Sequence, residues 1–158
     1  MPTGAVERVR SSLAALGVQA EVREFEASTA TASQAAAALG TSVGRIVKSL
    51  VFLAGDAPIV VLASGPNRVD TRKLGQLLGR RVRRAEADHV RAATGFAIGG
   101  VPPVGHTQPL PVYVDRDLLD YDLVWAAAGS PNAVFPIDPH QLVRISGGQV
   151  VDLKQDAA

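Results

Sequence analysis

The sequence predicts an α+β fold in which a mixed, partly barrel-like β-sheet is flanked by helices. Three observations carry this. Helical and strand patterns are interleaved along the chain, so neither owns a separate half. Several neighbouring strand patterns are joined by turns too short for the crossover that parallel strands need. The chain has 158 residues, 47% of them hydrophobic and 20% charged, which is the size and make-up of one domain with its own core. A single domain over residues 1–158 is expected, and not a doubly wound nucleotide fold.

Each element follows from a local pattern. In residues 5–16, Val6, Val9, Leu13 and Leu16 recur at helical spacing and Gly17 follows as a stop. "VQAEVREF" (18–25) alternates like a strand. "TASQAAAALG" (31–40) places Thr31 three residues before Gln34, a capping box, and ends at Gly40. "RIVKSLVFLAG" (45–55) is β-branched and apolar, and "PIVVLASG" (58–65) follows it across a short turn, so the two predict a hairpin. Asp70 caps a helix over 71–79 with Leu74, Leu77 and Leu78 as its apolar face. "RRVRR" (80–84) reads as a short basic extended segment and 85–95 as a helix stopped by Gly95. "FAI" (96–98) and "PVYVD" (111–115) read as strands, with a helical turn at 116–121. "LVWAAAG" and "AVFPI" read as strands joined across "SPN". Asp138 with Pro139 opens a last helix, and "QVVDL" (149–153) closes the chain as a strand.

Composition excludes several classes. The chain has no cysteine, so disulfides and thiolate metal sites are out. Charges interrupt the apolar start, unlike a signal peptide, and no apolar run reaches the roughly 20 residues that span a bilayer. A cytoplasmic protein with no membrane partner is expected. The net charge is +1, yet the basic residues cluster in "RKLGQLLGRRVRR" (72–84), which contains no acid. Lysine occurs at Lys48, Lys73 and Lys154 and nowhere else.

Familiar catalytic signatures are missing. His89, His106 and His140 lack metal-helix spacing, so no metal and no cofactor is expected. There is no Gly-Lys-Ser/Thr phosphate loop, no Gly-x-Ser-x-Gly elbow and no obvious carboxylate pair. An enzyme built from this chain must hold a substrate whose own groups do much of the chemistry.

Two stretches stand out. In "IVKSLVF", Ile46, Lys48, Leu50 and Phe52 share one face and Val47, Ser49, Val51 and Leu53 the other. Both faces are apolar, so Lys48 needs either an ion-pair partner or an open cavity, in which it would anchor a phosphate or carbonyl. "GFAIGGVPPVGH" (95–106) puts four glycines and two adjacent prolines in twelve residues. Gly99 and Gly100 allow close approach to bare backbone N–H groups, while Pro102 and Pro103 stiffen the chain and remove two donors. Such a loop is either a tight corner of a sheet or a carbonyl cradle. "AAGSPNAV" is a further turn with Gly129, Ser130 and Asn132, and Arg80, Arg81, Arg83 and Arg84 are either a solvated edge or a surface for phosphates.

Taken in order, "IVKSLVF", "TGFAIGGVPPVG" and "WAAAGSPNAVFPI" resemble the YbaK/EbsC family of aminoacyl-tRNA deacylases, which is similar to the editing domain inserted in bacterial prolyl-tRNA synthetases. The resemblance covers nearly the whole chain. It implies a mixed sheet curled toward a barrel with a pocket at one mouth, in a freestanding domain. It implies hydrolysis of the ester between a wrong amino acid and the 3′-terminal adenosine of a tRNA, with tRNA-Pro as the expected carrier. The family's lysine falls on Lys48, which would hold the terminal nucleotide. Its Gly-x-x-x-Pro loop falls on Gly99, Gly100, Val101, Pro102 and Pro103, which would position the ester carbonyl and the water. Phe25, Gly105, His106, Gly129 and Ser130 would border the substrate. Family members are thought to need little side-chain chemistry, because the ribose hydroxyl beside the ester helps activate water. Members that edit alanine carry a histidine in a late turn where this chain has "GSPNAV", so the amino acid stays open among small ones. The low net charge implies weak binding to tRNA alone and recruitment by prolyl-tRNA synthetase or an elongation factor. The alternative is a non-catalytic module of the same fold that binds an aminoacyl-adenylate or a tRNA end.

Overall fold

The computed structural model describes residues 3–156. Five helices appear in chain order: α1 (Thr3–Ala15), α2 (Ala32–Leu39), α3 (Thr71–Leu78), α4 (Ala87–Thr94) and α5 (Pro139–Ser146). The strands are β1 (Arg23–Glu24), β2 (Val47–Ala54), β3 (Ala57–Ser64), β4 (Val82–Arg84), β5 (Val112–Asp115), β6 (Val124–Ala127), β7 (Ala133–Ile137) and β8 (Gln149–Val151).

Three of these helices start where the sequence supplies caps. Thr31 accepts from Gln34 N–H, and the Gln34 side chain accepts from Thr31 N–H in return. Asp70 caps α3 through Arg72 and Lys73 N–H, and Asp138 caps α5 with Pro139 at the first helical position.

The strands form two sheets. One has the order β4-β2-β3-β5-β8, antiparallel at β4/β2/β3 and parallel at β3/β5/β8. The other is antiparallel, in the order β1-β7-β6. The mixed sheet of the sequence reading is therefore present, but it does not close into a barrel. Ile46 bridges in parallel to Trp125, joining the start of β2 to β6. β4 pairs with β2 only from Phe52 to Ala54. Between those points the outer edge of β2 has no strand beside it among the described residues.

The β2–β3 hairpin is covered on both faces, which explains its apolar character on both. Val47, Val51, Val60 and Leu62 pack with Val6, Val9 and Leu13 of α1 and with Phe135 and Leu142. Phe52, Ile59 and Val61 pack with Leu74 of α3, Val82 and Leu153. Burying each such side chain contributes about 1.5–3 kcal/mol.

Four expected elements come out differently. "FAI" is not a strand but part of a turn, closed by Gly100 N–H on Ala97 O at 3.0 Å. Phe96 is drawn into the core under the Arg8 guanidinium, while Ile98 points outward at 58% exposure, so the three residues share no strand face. "VQAEVREF" pairs only at Arg23–Glu24, because Val18 packs into the core beside α1 rather than along a sheet edge. Leu16 lies past the end of α1 and is exposed, as is Leu77 on α3, so both apolar stripes are narrower than the spacing suggests.

Candidate functional site

The unpaired edge of β2 opens into a cavity of about 420 Å³. Its floor is Ile46 to Val51. One wall is the start of α2, from Thr29 to Ala32 with Ala35. The second wall is Trp125, Ala127 and Val134 of the smaller sheet, and the third is Ile98, Gly99 and Val101 of the glycine-proline loop. Arg84, at the end of β4, stands at the rim.

Lys48 sits on this floor, half-buried, because the strand that would cover it ends at Arg84, four residues further along β2 in register. Its Nζ donates to the backbone carbonyl of Asn67 at 2.5 Å. Burial pushes its pKa below the ordinary lysine value and the neighbouring Arg84 guanidinium pushes the same way, against an opposing pull from Asp115. Lys48 and Arg84 are the ionisable side chains on the cavity wall. Ser49 also lines the cavity, and its hydroxyl is buried with no hydrogen-bond partner among the described residues.

The loop earns its glycines by contact. Gly99 has φ of 90°, and a Cβ there would lie 3.0 Å from the Ala30 methyl. Gly100 is buried flat against Ser130: a Cβ would come within 2.9 Å of the Ser130 N, Cα and C atoms. Gly100 N–H is used in the turn to Ala97 O, whereas the N–H groups of Gly99 and Val101 have no protein partner among the described residues. The cradle, if loaded, would therefore use the amides of Gly99 and Val101.

Of the residues singled out in the sequence, Lys48, Gly99 and Val101 come together on the cavity wall. Gly100, Pro102 and Pro103 are buried behind it as the loop's support. Gly129 and Ser130 do not line the cavity. They back the loop, with Gly129 pressed onto Ala5 O and Ser130 onto Gly100. Phe25 lies outside as well. It packs beside Trp125 and Val134, its backbone tied to Asn132 at N–H and C=O. Gly105 and His106 face a separate shallow groove with Leu16 and Ile145. His106 Nε2 donates to Pro102 O at 2.7 Å, so the imidazole braces the loop from behind; burial lowers its pKa.

Sequence reasoning missed Thr29–Ala32, Ser49, Ile98, Trp125 and Val134 as cavity residues. The Thr31–Gln34 capping box was a usable signal, since it fixes where α2 begins. Trp125 was not legible, because its place depends on the single bridge to Ile46.

Among the described residues no helix is long and apolar enough to cross a membrane, and no cluster of His, Asp or Glu could hold a metal ion. The family model for the aminoacyl-tRNA editing domain matches residues 26–145. The uncharacterized protein YwhH of Bacillus subtilis is 35% identical over 153 residues, spanning 96% of this chain and 98% of its own. EbsC of Enterococcus faecalis, a proposed Cys-tRNA(Pro)/Cys-tRNA(Cys) deacylase, is 26% identical over 78% of this chain and 76% of its own. A crystal structure of a proposed trans-editing enzyme for prolyl tRNA synthetase superposes with a TM-score of 0.92 at 49% identity, covering 97% of this chain and 98% of that one.

Proposed function

Because this chain belongs to the aminoacyl-tRNA editing domain family, we propose that it is a trans-editing deacylase. It hydrolyses the ester between a small non-cognate amino acid and the 3′-terminal adenosine of a tRNA, with tRNA-Pro as the carrier. The observation that carries the reading is that Lys48, Gly99 and Val101 line one cavity, and that the N–H groups of the two loop residues have no protein partner among the described residues. Its volume of about 420 Å³ suits a small ligand end rather than a whole macromolecule.

In this reading the Lys48 ammonium holds the phosphate of the terminal nucleotide. The Gly99 and Val101 N–H groups receive the ester carbonyl and the negative charge that grows on its oxygen as water attacks. The neighbouring ribose hydroxyl orients that water and relays its proton, accepting one from the water as it passes its own to the departing ribose oxygen. The products are the free amino acid and the tRNA with its terminal hydroxyl restored. An aminoacyl ester is labile enough for positioning and carbonyl polarisation to suffice, which fits a cavity wall whose ionisable groups are two cations. The same poverty of acid–base groups favours a second reading, a module of this fold that binds the tRNA end without turnover. Prolyl-tRNA synthetase or an elongation factor would recruit the protein to its substrate.

The test is a panel of tRNA-Pro charged with alanine, cysteine, serine, threonine, aminobutyrate or proline, with amino-acid release followed for wild type and Lys48→Ala. One or two non-cognate esters are expected to be lost quickly, prolyl-tRNA to be spared, and the variant to fall by about 100-fold, as for a misplaced substrate. Release of no ester above the spontaneous rate refutes the deacylase reading in favour of the binding module.

A further inference from the structure

The amine on the cavity floor is itself held, and what holds it lies off the cavity wall. Lys48 Nζ donates to Asn67 O. Asn67 ends a tight turn in which its N–H donates to Ser64 O at 2.9 Å. Both ends of that turn are fastened to one carboxylate. Asp115 Oδ2 accepts from Ser64 N–H at 3.0 Å and from Asn67 Nδ2 at 2.8 Å. Asp115 is only 1% exposed. Its other oxygen accepts from Asp117 N–H at 3.0 Å. Asn67 Nδ2 also donates to Asp117 Oδ2 at 2.9 Å, and Lys154 Nζ donates to that same oxygen at 2.6 Å.

A buried carboxylate is tolerated only when hydrogen bonds fill it. Asp115 accepts three, and two of them fix the turn that presents the acceptor for Lys48. That placement has a use. A lysine side chain is a point charge on a flexible stem, and left alone it samples many rotamers. A rigid carbonyl occupies one of its three N–H donors and leaves the other two for a ligand. Asp115 also attracts the ammonium through space, while Arg84 and Arg68 repel it. The ammonium is therefore placed by the turn and not by a contact ion pair.

We propose that Asn67 and Asp115 are positioning residues that hold the Lys48 ammonium in its ligand-binding geometry. This rests on the reading of the cavity as the deacylation site, and the experiment separates the two. Asn67→Ala keeps the carbonyl but frees the Asn67 end of the turn from both carboxylates, leaving the Ser64 N–H bond to Asp115 in place. It is expected to lower kcat/KM for the ester found in the panel by about 10-fold, the usual scale for a group acting through another. Made in the Lys48→Ala background, it is expected to cause no further loss. Equal losses in both backgrounds would show a merely structural role and overturn the proposal, as would no loss in the wild-type background.

A second measurement needs no catalysis. With three lysines in the chain, selective 13C labelling at lysine Cε gives a resolvable Lys48 signal. Its two Hε protons are expected to be inequivalent in the wild type and to merge in Asn67→Ala. If no ester is hydrolysed, the deacylase reading fails while this signal still decides the positioning claim; an unchanged Lys48 signal overturns it. If Asn67→Ala does not fold, Asp115→Asn, which keeps the volume and one acceptor oxygen, takes its place in both measurements.

Discussion

Replacing Gly100 with alanine adds one methyl group at the place where the loop leans on its support. That methyl would sit 2.9 Å from three backbone atoms of Ser130. Ordinary contact starts near 3.4 Å, so the two backbones must part by about half an ångström. Neither can yield through a side-chain rotation. Ser130 is tethered through its hydroxyl to Asn132 Oδ1 at 2.7 Å, and Gly129 beside it is pinned against Ala5. Overpacking of this kind costs about 1–3 kcal/mol. For a chain of 158 residues that lowers Tm by about 2–12 °C, taking about 2–4 °C per kcal/mol. The displaced segment carries the Gly99 and Val101 amides, so kcat is expected to fall by about 10-fold, scaled down from the roughly 100-fold of a 1 Å misplacement. Thermal melting and single-turnover release of the amino acid measure the two effects separately. A variant that melts lower yet keeps its single-turnover rate would refute the cradle, and leave the loop a corner of the sheet.

Two further outcomes follow from charge. Arg83 is exposed on β4 and Arg81 just before it, and Arg84 continues that edge to the cavity. Arg81→Gln with Arg83→Gln is expected to weaken tRNA binding and reduce the slope of log K against log salt by about 1–2, roughly one per lost phosphate contact, in filter-binding titrations; an unchanged slope would assign this edge to solvent. His106 has a folded pKa held below its ordinary value of 6.5 by burial. The unfolded chain therefore takes up the proton first as pH falls, and stability is expected to decline as pH drops below about 6.5 until the folded group also protonates. Denaturant midpoints between pH 7.5 and 5 should show this decline, and His106→Asn, which still offers an N–H to Pro102 O, should flatten it.

Lys48 was legible in the sequence because a strand apolar on both faces cannot hide an ammonium without a partner or a cavity. The Thr31, Asp70 and Asp138 caps were legible because each is decided within a few residues, the hairpin because its two strand patterns adjoin, and the mixed sheet because several strand patterns are joined by turns too short for parallel crossovers. The failures share a cause. Phe96 and Ile98 look alike in a pattern of three apolar residues, and only packing decides that one is buried and the other turned out. Gly129 and Ser130 have the composition of a ligand-binding turn, but their close approach is to Ala5 and Gly100. The cavity wall draws on residues from Thr29 to Val134, and no local pattern reports which of these meet. The Asp115–Asn67 support of Lys48 spans 48 residues of sequence and left no trace in spacing.

The gap along β2 is a seam left open between two sheets. Exposed seams invite other chains to add a strand, and proteins usually blunt them with charge or proline. Here the seam is sunk beneath the start of α2 and the glycine loop, which shelters it from a second chain while a small ligand can still reach it. Its length is set by where Ile46 meets Trp125 at one end and where Phe52 meets Arg84 at the other. Sheet register moves in whole residues, about 3.3 Å at a time. The length of the gap in this chain is therefore set in whole residues, and a shift of one residue at either bridge would both resize it and turn the neighbouring side chains to the other face.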